Sequence, residues 1–234
     1  MVNTLCIVQA RLTSSRLPNK VLMPLAGKTI LEHVNERLSR VKGIDKVVFA
    51  IPENQLNNRL EAFLEEKGIS YFRGSENDVL DRFYQCAIKY SPKIVVRATC
   101  DNPLVDIELA ETMLRSFGDN DYMHGKTCSL GTAVEIFKMS ALTEAFHNAS
   151  TSIEHEHVTP YIWKRPDVYK VEMYPYVGPS FRLTVDEDKD YELMNLIYDE
   201  MYKGSPICNE LVYDFLSRHP ELVEINKSVE QVPV

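Results

Sequence analysis

The chain has 234 residues, 44% of them apolar and 26% charged, with a formal net charge of -8. That size and balance fit one soluble α/β domain, residues 1–234, whose core is large enough to need no disulfide staples. The acidic total speaks against broad binding to nucleic acid or to anionic membranes, and no apolar run nears the ~20 residues of a membrane span. Cys6, Cys86, Cys100, Cys128 and Cys208 are odd in number and lie at no metal-binding spacing. They read as reduced thiols of a cytoplasmic protein, an expectation that the lack of a charged leader or long apolar segment at the start supports.

Residues 4–8 form a short apolar run and predict a buried first strand. Residues 9–20, Q-A-R-L-T-S-S-R-L-P-N-K, follow it with three cations (Arg11, Arg16, Lys20), three hydroxyls (Thr13, Ser14, Ser15) and no carboxylate. A loop leaving the carboxyl end of a first strand is where open α/β sheets bind ligands. Cations and hydroxyls there suit the oxygens of a polyphosphate; the alternative is a solvated surface loop. Residues 21–25 read as a turn, and Gly27-Lys28-Thr29 fails as a phosphate loop because Leu22 stands where that motif needs glycine. Ile30, Leu31, Val34, Leu38 and Val41 then recur at helical spacing up to Gly43.

Strand and helix alternate through the first half of the chain. Residues 46–51, 69–72 and 94–98 read as strands; 54–67, 79–90 and 106–117 read as helices. Four β-α repeats predict a parallel sheet with right-handed crossovers. The second half is less regular. Residues 122–124, 132–137, 169–174 and 181–185 are strand candidates, and 140–147, 191–202 and 210–217 helix candidates, the first opened by Ser140 as N-cap. Residues 152–164 are helical in part and carry Pro160, and the tail after Leu222 shows no pattern, so it frays or packs on the surface.

Polar groups follow three of these strands: the basic loop after the first, Asp101 after the fourth, and Asp186 with Asp188 after a late one. In a parallel sheet those ends converge, so phosphate-holding cations would face metal-holding carboxylates. Mg²⁺ is held by one or two carboxylates plus substrate phosphates, which suits nucleotidyl transfer. Each acidic group also has a plainer role: Asp101 turning the chain before Pro103, Asp186 or Asp188 capping the next helix. The E-H-E-H run from Glu154 to His157 lacks further ligands at metal spacing. Tyr161, Trp163, Tyr174 and Tyr176 fit the core, with sugar stacking or a dimer face as the other use.

The segments A-R-L-T-S-S-R-L-P-N-K, V-V-R-A-T-C-D-N-P-L-V-D (95–106), H-V-T-P-Y-I (157–162) and R-L-T-V-D-E-D-K-D (182–190) occur in this order. Together they resemble the cytidylyltransferases that make CMP-activated acidic sugars, such as CMP-Kdo synthetase and acylneuraminate cytidylyltransferase. They resemble more closely still the branch typified by the spore-coat polysaccharide protein SpsF. The resemblance implies a three-layer sandwich around a mostly parallel sheet, of the GT-A-like nucleotide-diphospho-sugar transferase type. It implies transfer of CMP from CTP to an acidic sugar such as a nonulosonic acid, with release of pyrophosphate, in surface polysaccharide synthesis. The implied partners are CTP and a small sugar, without nucleic acid or membrane, and the implied assembly is a homodimer.

Carried over by motif, Arg11, Lys20 and Asp101 would be catalytic, and Arg11, Ser14, Arg16 and Lys20 would hold the triphosphate. Lys20 would meet the charge growing on the departing pyrophosphate. Asp101 and Asp186 would hold Mg²⁺. Arg73, Ser75 and Asp78 would line the base pocket, with Asp78 either accepting from the cytosine amino group or capping its helix. Arg97 and Thr99 join the nucleotide set, although Kdo-type enzymes carry a neutral side chain at the first place and Gln-Gly where Thr99-Cys100 stands. Glu135, His157 and Arg182 are the acceptor-side candidates, with His155 beside them. His157 reads more readily as a satisfied helix-end residue than as a catalytic base, and no general base stands out. A glycosyltransferase of similar fold would want an Asp-x-Asp pair, which Asp101-Asn102-Pro103 is not. A nucleotide-binding regulator without turnover would not need carboxylates on both sides of a metal.

Overall fold

The computed structural model describes residues 2–126, 128–176 and 178–231. The alternation of side chains along the first strand, β1 (Thr4–Gln9), sets up its layers. Cys6 and Val8 point into one core and Leu5 and Ile7 into another, all four fully buried. A strand buried on both faces reads as the continuous apolar run seen in the sequence.

After β1 come the hairpin strands β2 (Pro24–Leu25) and β3 (Lys28–Thr29), then α1 (Ile30–Leu38), β4 (Lys46–Pro52), α2 (Asn58–Glu66), β5 (Tyr71–Gly74) and α3 (Val79–Tyr90). The fourth β-α unit is β6 (Ile94–Thr99) and α4 (Ile107–Ser116). Then follow β7 (Tyr122–Lys126), β8 (Glu135–Lys138), α5 (Met139–Asn148), α6 (Ser152–His157), α7 (Pro160–Trp163) and β9 (Val171–Pro175). The chain continues through α8 (Asp188–Met201), α9 (Asn209–Arg218) and α10 (Pro220–Val223). The main sheet runs β5-β4-β1-β6-β8-β7-β9, and β8 alone is antiparallel to its neighbours. Helices α1, α2, α4, α8 and α9 pack on the Cys6 face through residues such as Leu31, Leu60, Met113, Ile197 and Leu216. Helices α3, α5 and α7 pack on the other through Phe83, Leu142 and Ile162. The three-layer, mostly parallel architecture expected from the sequence is present. No helix among the described residues is long and apolar enough to cross a membrane.

The differences from the sequence expectations cluster in the second half. Residues 181–185 do not join the main sheet; the segment makes one parallel bridge, at Leu130 and Arg182. The Leu183 amide donates to the Leu130 carbonyl (2.8 Å) and the Val185 amide to the Asp101 carbonyl (2.8 Å). Gly131 permits this approach: its φ is +91°, and a Cβ there would stand 2.7 Å from the Leu183 backbone. Lys138, not Ser140, is the N-cap of α5, and Glu187, rather than Asp186 or Asp188, is the N-cap of α8. Of the two outcomes expected of the tail, packing is what its described part shows. Asn226 is buried and donates to the Arg182 carbonyl (3.0 Å) and to Asp190 Oδ1 (2.9 Å), which anchors residues after α10 against the α8 N-terminus. Sequence periodicity is blind to such a contact, because one buried amide makes no pattern.

Candidate active site

The loop after β1 is held by three buried groups. Leu12 and Leu17 are inward, and the buried Asn57 accepts the Leu12 amide through Oδ1 at 2.9 Å. Asn19, in a left-handed conformation, returns its amide to the Leu12 carbonyl (2.9 Å) and starts the 3-10 turn Lys20–Leu22. A loop pinned this way presents its polar side chains from a fixed base. Arg11 and Arg16 are exposed, and Ser14 Oγ accepts the Leu17 amide at 3.3 Å. Arg11, Ser14, Ser15, Arg16 and Lys20 all line one cleft of about 830 Å³ over the carboxyl ends of β1 and β6.

Lys20 crosses that cleft. Its Nζ donates to Asp101 Oδ2 at 2.9 Å and to Asp186 Oδ1 at 2.8 Å, and the residue is only 8% exposed. Burial alone would lower the ammonium pKa; the two carboxylates outweigh it and the net shift is upward. Asp186 is also paired with Arg16 (3.2 Å) and with Arg182 (3.0 Å). Burial pushes its carboxyl up, but Lys20, Arg16 and Arg182 hold it below its ordinary value. Asp101 Oδ1 accepts from the Thr99 hydroxyl (2.5 Å), which in turn accepts from Asn102 (2.8 Å). The three polar strand ends of the sequence reading therefore meet, with the extended strap 181–186 doing the work expected of a strand.

Behind Asp186 stands Asp190, a buried residue that the sequence did not single out. Its carboxylate accepts from Arg182 (2.8 Å and 3.0 Å), from the Asp186 amide (3.0 Å) and from the Glu187 amide (3.1 Å). Arg182 donates further to Gln231 (2.8 Å). Arg182 thus braces Asp186 and is not itself among the residues that line the cleft.

On the far side of the cleft, Arg97 and Glu135 pair directly across β6 and β8. Glu135 Oε1 also accepts from the Tyr122 hydroxyl (2.5 Å) and from Thr159 (2.8 Å). Burial raises the Glu135 carboxyl, but Arg97, Tyr122 and Thr159 together leave it lowered, so it is ionised at neutral pH. His157 lines the same end, and burial lowers its pKa, which favours the neutral imidazole. The following residue, Val158, has φ +70°, an outlier for a β-branched side chain, and it turns the chain sharply between α6 and α7.

Three predicted base-pocket residues are engaged away from the cleft. Arg73 lies within β5 and reaches back to Glu61, Asn58 and the Asn54 carbonyl. Ser75 Oγ accepts the Asp78 amide (3.1 Å), and Asp78 is the N-cap of α3, accepting the Asp81 amide at 2.9 Å. The other Asp78 oxygen meets His155 Nδ1 at 2.8 Å, and His155 is not among the residues that line the cleft. The plainer alternative, helix capping, is what the structure displays for Asp78. Residues that the sequence reading passed over line the cleft instead, among them Gln9, His124, Ser129 and Gln231. They come from β1, β7, the loop before β8 and the tail, and only the register of the folded sheet brings them together.

The residues present suit a divalent cation. Two carboxylates lie within 2.9 Å of one nitrogen, so a single ion could be shared by both. Their oxygens are the hard donors that Mg²⁺ prefers. Among the described residues no group of three or more His, Cys, Asp or Glu side chains forms a complete cage. Two protein carboxylates with the remaining positions left to water and phosphate is the usual manner in which Mg²⁺ is held at phosphate-transfer sites.

The cytidylyltransferase family profile matches residues 5–224. The chain belongs to this family. It is 32% identical to the spore coat polysaccharide biosynthesis protein SpsF of Bacillus subtilis over 94% of this chain and 97% of that one. It is 38% identical to an uncharacterized protein of Methanocaldococcus jannaschii over 96% and 95% of the two chains. Its fold superposes on a cytidylyltransferase from Leptospira borgpetersenii with a TM-score of 0.90 and 28% identity, covering 99% of this chain and 100% of that one. A CMP:2-keto-3-deoxy-manno-octonic acid synthetase solved with CTP has a TM-score of 0.65 at 17% identity, covering 85% and 100%, and shares the fold. In this cytidylyltransferase, the basic loop and the two facing carboxylates lie at the carboxyl edge of the parallel strands, where open α/β sheets place their ligands.

Proposed function

We propose that the protein transfers CMP from CTP to a sugar, an acidic one such as a nonulosonic acid, and releases pyrophosphate for the assembly of a surface polysaccharide. The observation that carries this is Lys20 standing between Asp101 and Asp186 at the base of an otherwise cationic loop. In the reaction a sugar oxygen forms a bond to the α-phosphorus while the bond from that phosphorus to the bridging oxygen breaks, and the electron pair leaves with pyrophosphate. Arg11, Arg16 and Lys20 hold the triphosphate and stabilise the charge that grows on the leaving group. Mg²⁺ held by Asp101 and Asp186 would supply Lewis-acid neutralisation of phosphate charge.

On the acceptor side Arg97 is the cation available to a sugar carboxylate, with Glu135 orienting it through their ion pair. His157, favoured as the neutral imidazole, is able to take the proton released by the attacking hydroxyl. The same reading places the protein in the cytoplasm, where CTP and reduced thiols occur together, and the family resemblance supports a homodimer. The test is nucleotide-dependent thermal stabilisation with Mg²⁺ present. CTP should raise the melting temperature more than ATP, GTP or UTP; no stabilisation by CTP would remove the reading.

A further inference from the structure

Lys20 has two sets of anions to choose between. It rises from the 3-10 turn that closes the basic loop, so a triphosphate held by Arg11, Ser14 and Arg16 would lie beside it. In the structure its Nζ instead bridges Asp101 Oδ2 and Asp186 Oδ1, at 2.9 Å and 2.8 Å. These two carboxylates are not compensated alike. Asp186 keeps Arg16 and Arg182 as partners when Lys20 is removed, whereas Lys20 is the one cation paired with Asp101 among the described residues.

A divalent ion bound by both carboxylates would sit about 2.1 Å from each oxygen, the Mg²⁺–oxygen distance. On the side of the two oxygens that Nζ occupies, the ion would overlap the ammonium. Two cations at such a separation in a partly buried site repel strongly, so ion and ammonium exclude one another. A lysine is suited to such an exchange, because its charge is a compact point on four rotatable carbons, unlike the planar fork of an arginine.

We propose that Lys20 is an exchangeable counter-ion, which makes entry of the divalent cation depend on the nucleotide. The triphosphate draws the ammonium off the carboxylates, and the cation takes the position it leaves. Binding of each ligand then favours the other, by linkage through one side chain and in addition to any direct contact of metal with phosphate. Without nucleotide, the protein resists the cation. This inference rests on the nucleotidyl-transfer reading for the identity of the triphosphate, but the competition between Lys20 and a cation is measurable without nucleotide.

The test is Mn²⁺ alone, titrated against nucleotide-free protein and followed by electron paramagnetic resonance of free Mn²⁺. The wild type should bind Mn²⁺ weakly, and Lys20→Met should bind it about tenfold or more tightly, within the range of ordinary coupling between sites. The double variant Lys20→Met with Asp101→Asn should lose the gain, which locates the ion. Loss of Lys20 leaves the carboxylates facing each other, so Mn²⁺ should raise the melting temperature of Lys20→Met more than that of wild type. Lys20→Gln gives the same comparison if the methionine variant does not fold. Equal Mn²⁺ affinity in wild type and both Lys20 variants would overturn the exchange while leaving CTP recognition intact. Tight Mn²⁺ binding by the wild type alone would overturn it as well. Failure of CTP to stabilise the wild type, with the Mn²⁺ gain present, would instead count against the nucleotide assignment and keep the competition.

Discussion

Arg97 on β6 and Glu135 on β8 stand opposite each other across one of the two antiparallel seams that β8 makes in the sheet, and their side chains form an ion pair in the lining of the cleft. Tyr122 and Thr159 donate to the same carboxylate, so Glu135 is engaged by three protein donors and Arg97 is the member of the pair with further donors to offer. Removing the carboxylate leaves a guanidinium, a phenol and a threonine without their acceptor. Glu135→Ala should therefore destabilise the fold by about 3 kcal/mol, the lower end for breaking a buried pair. Urea unfolding reads this directly, and Glu135→Gln, which keeps one acceptor, should lose less.

Asp190 organises the opposite wall. It receives the Arg182 fork, two backbone amides and Asn226, and its side chain is fully buried. Asp190→Ala should cost about 3–5 kcal/mol for the same reason, and it should also release the strap that carries Asp186. A thermal melt, together with proteolysis mapped to residues after 180, checks both effects. A variant as stable as wild type would remove Asp190 from this role.

A pH dependence follows from Glu154, which lies in the capping box of α6 and accepts from the Ser150 and Thr151 amides and from Arg165. Burial works against its ionised form, but those donors prevail and lower its carboxyl to about 2 from an ordinary 4.5. Its folded value is depressed, so its contribution to stability is complete above the ordinary value and disappears as pH falls from there toward 2. Acid unfolding of Glu154→Gln should be flatter than that of wild type across this window.

The β-α half of the fold was legible because each unit announces itself locally: an apolar run for the strand, a 3.6-residue period for the helix, a glycine or proline at the stop. The basic loop and Asp101 were legible too, since they follow strands whose ends share an edge. Asp186 is legible in the same way, as an acidic residue after an apolar run that reads as a strand, but the structure brings it in on a strap beside Gly131 instead. Arg97 and Glu135 lie 38 residues apart and meet only through strand register, which no local pattern encodes. Asp190 and Asn226 are single buried polar groups; Arg73, Ser75 and Asp78 come from the resemblance, and for Ser75 and Asp78 the sequence leaves both uses open because capping and ligand binding call on the same residue types.

The Asp101–Lys20–Asp186 cluster is proposed as the working part of the cytidylyltransferase site. Pyrophosphate release from CTP, Mg²⁺ and a panel of acidic and neutral sugars, in wild type and in Asp101→Asn, tests it most directly. The wild type should release pyrophosphate with CTP and an acidic sugar. Asp101→Asn should lose turnover while melting as a folded protein, and Lys20→Ala should fall by about 10²-fold or more, as expected for one lost transition-state contact. Near-native turnover by Asp101→Asn would contradict the assignment.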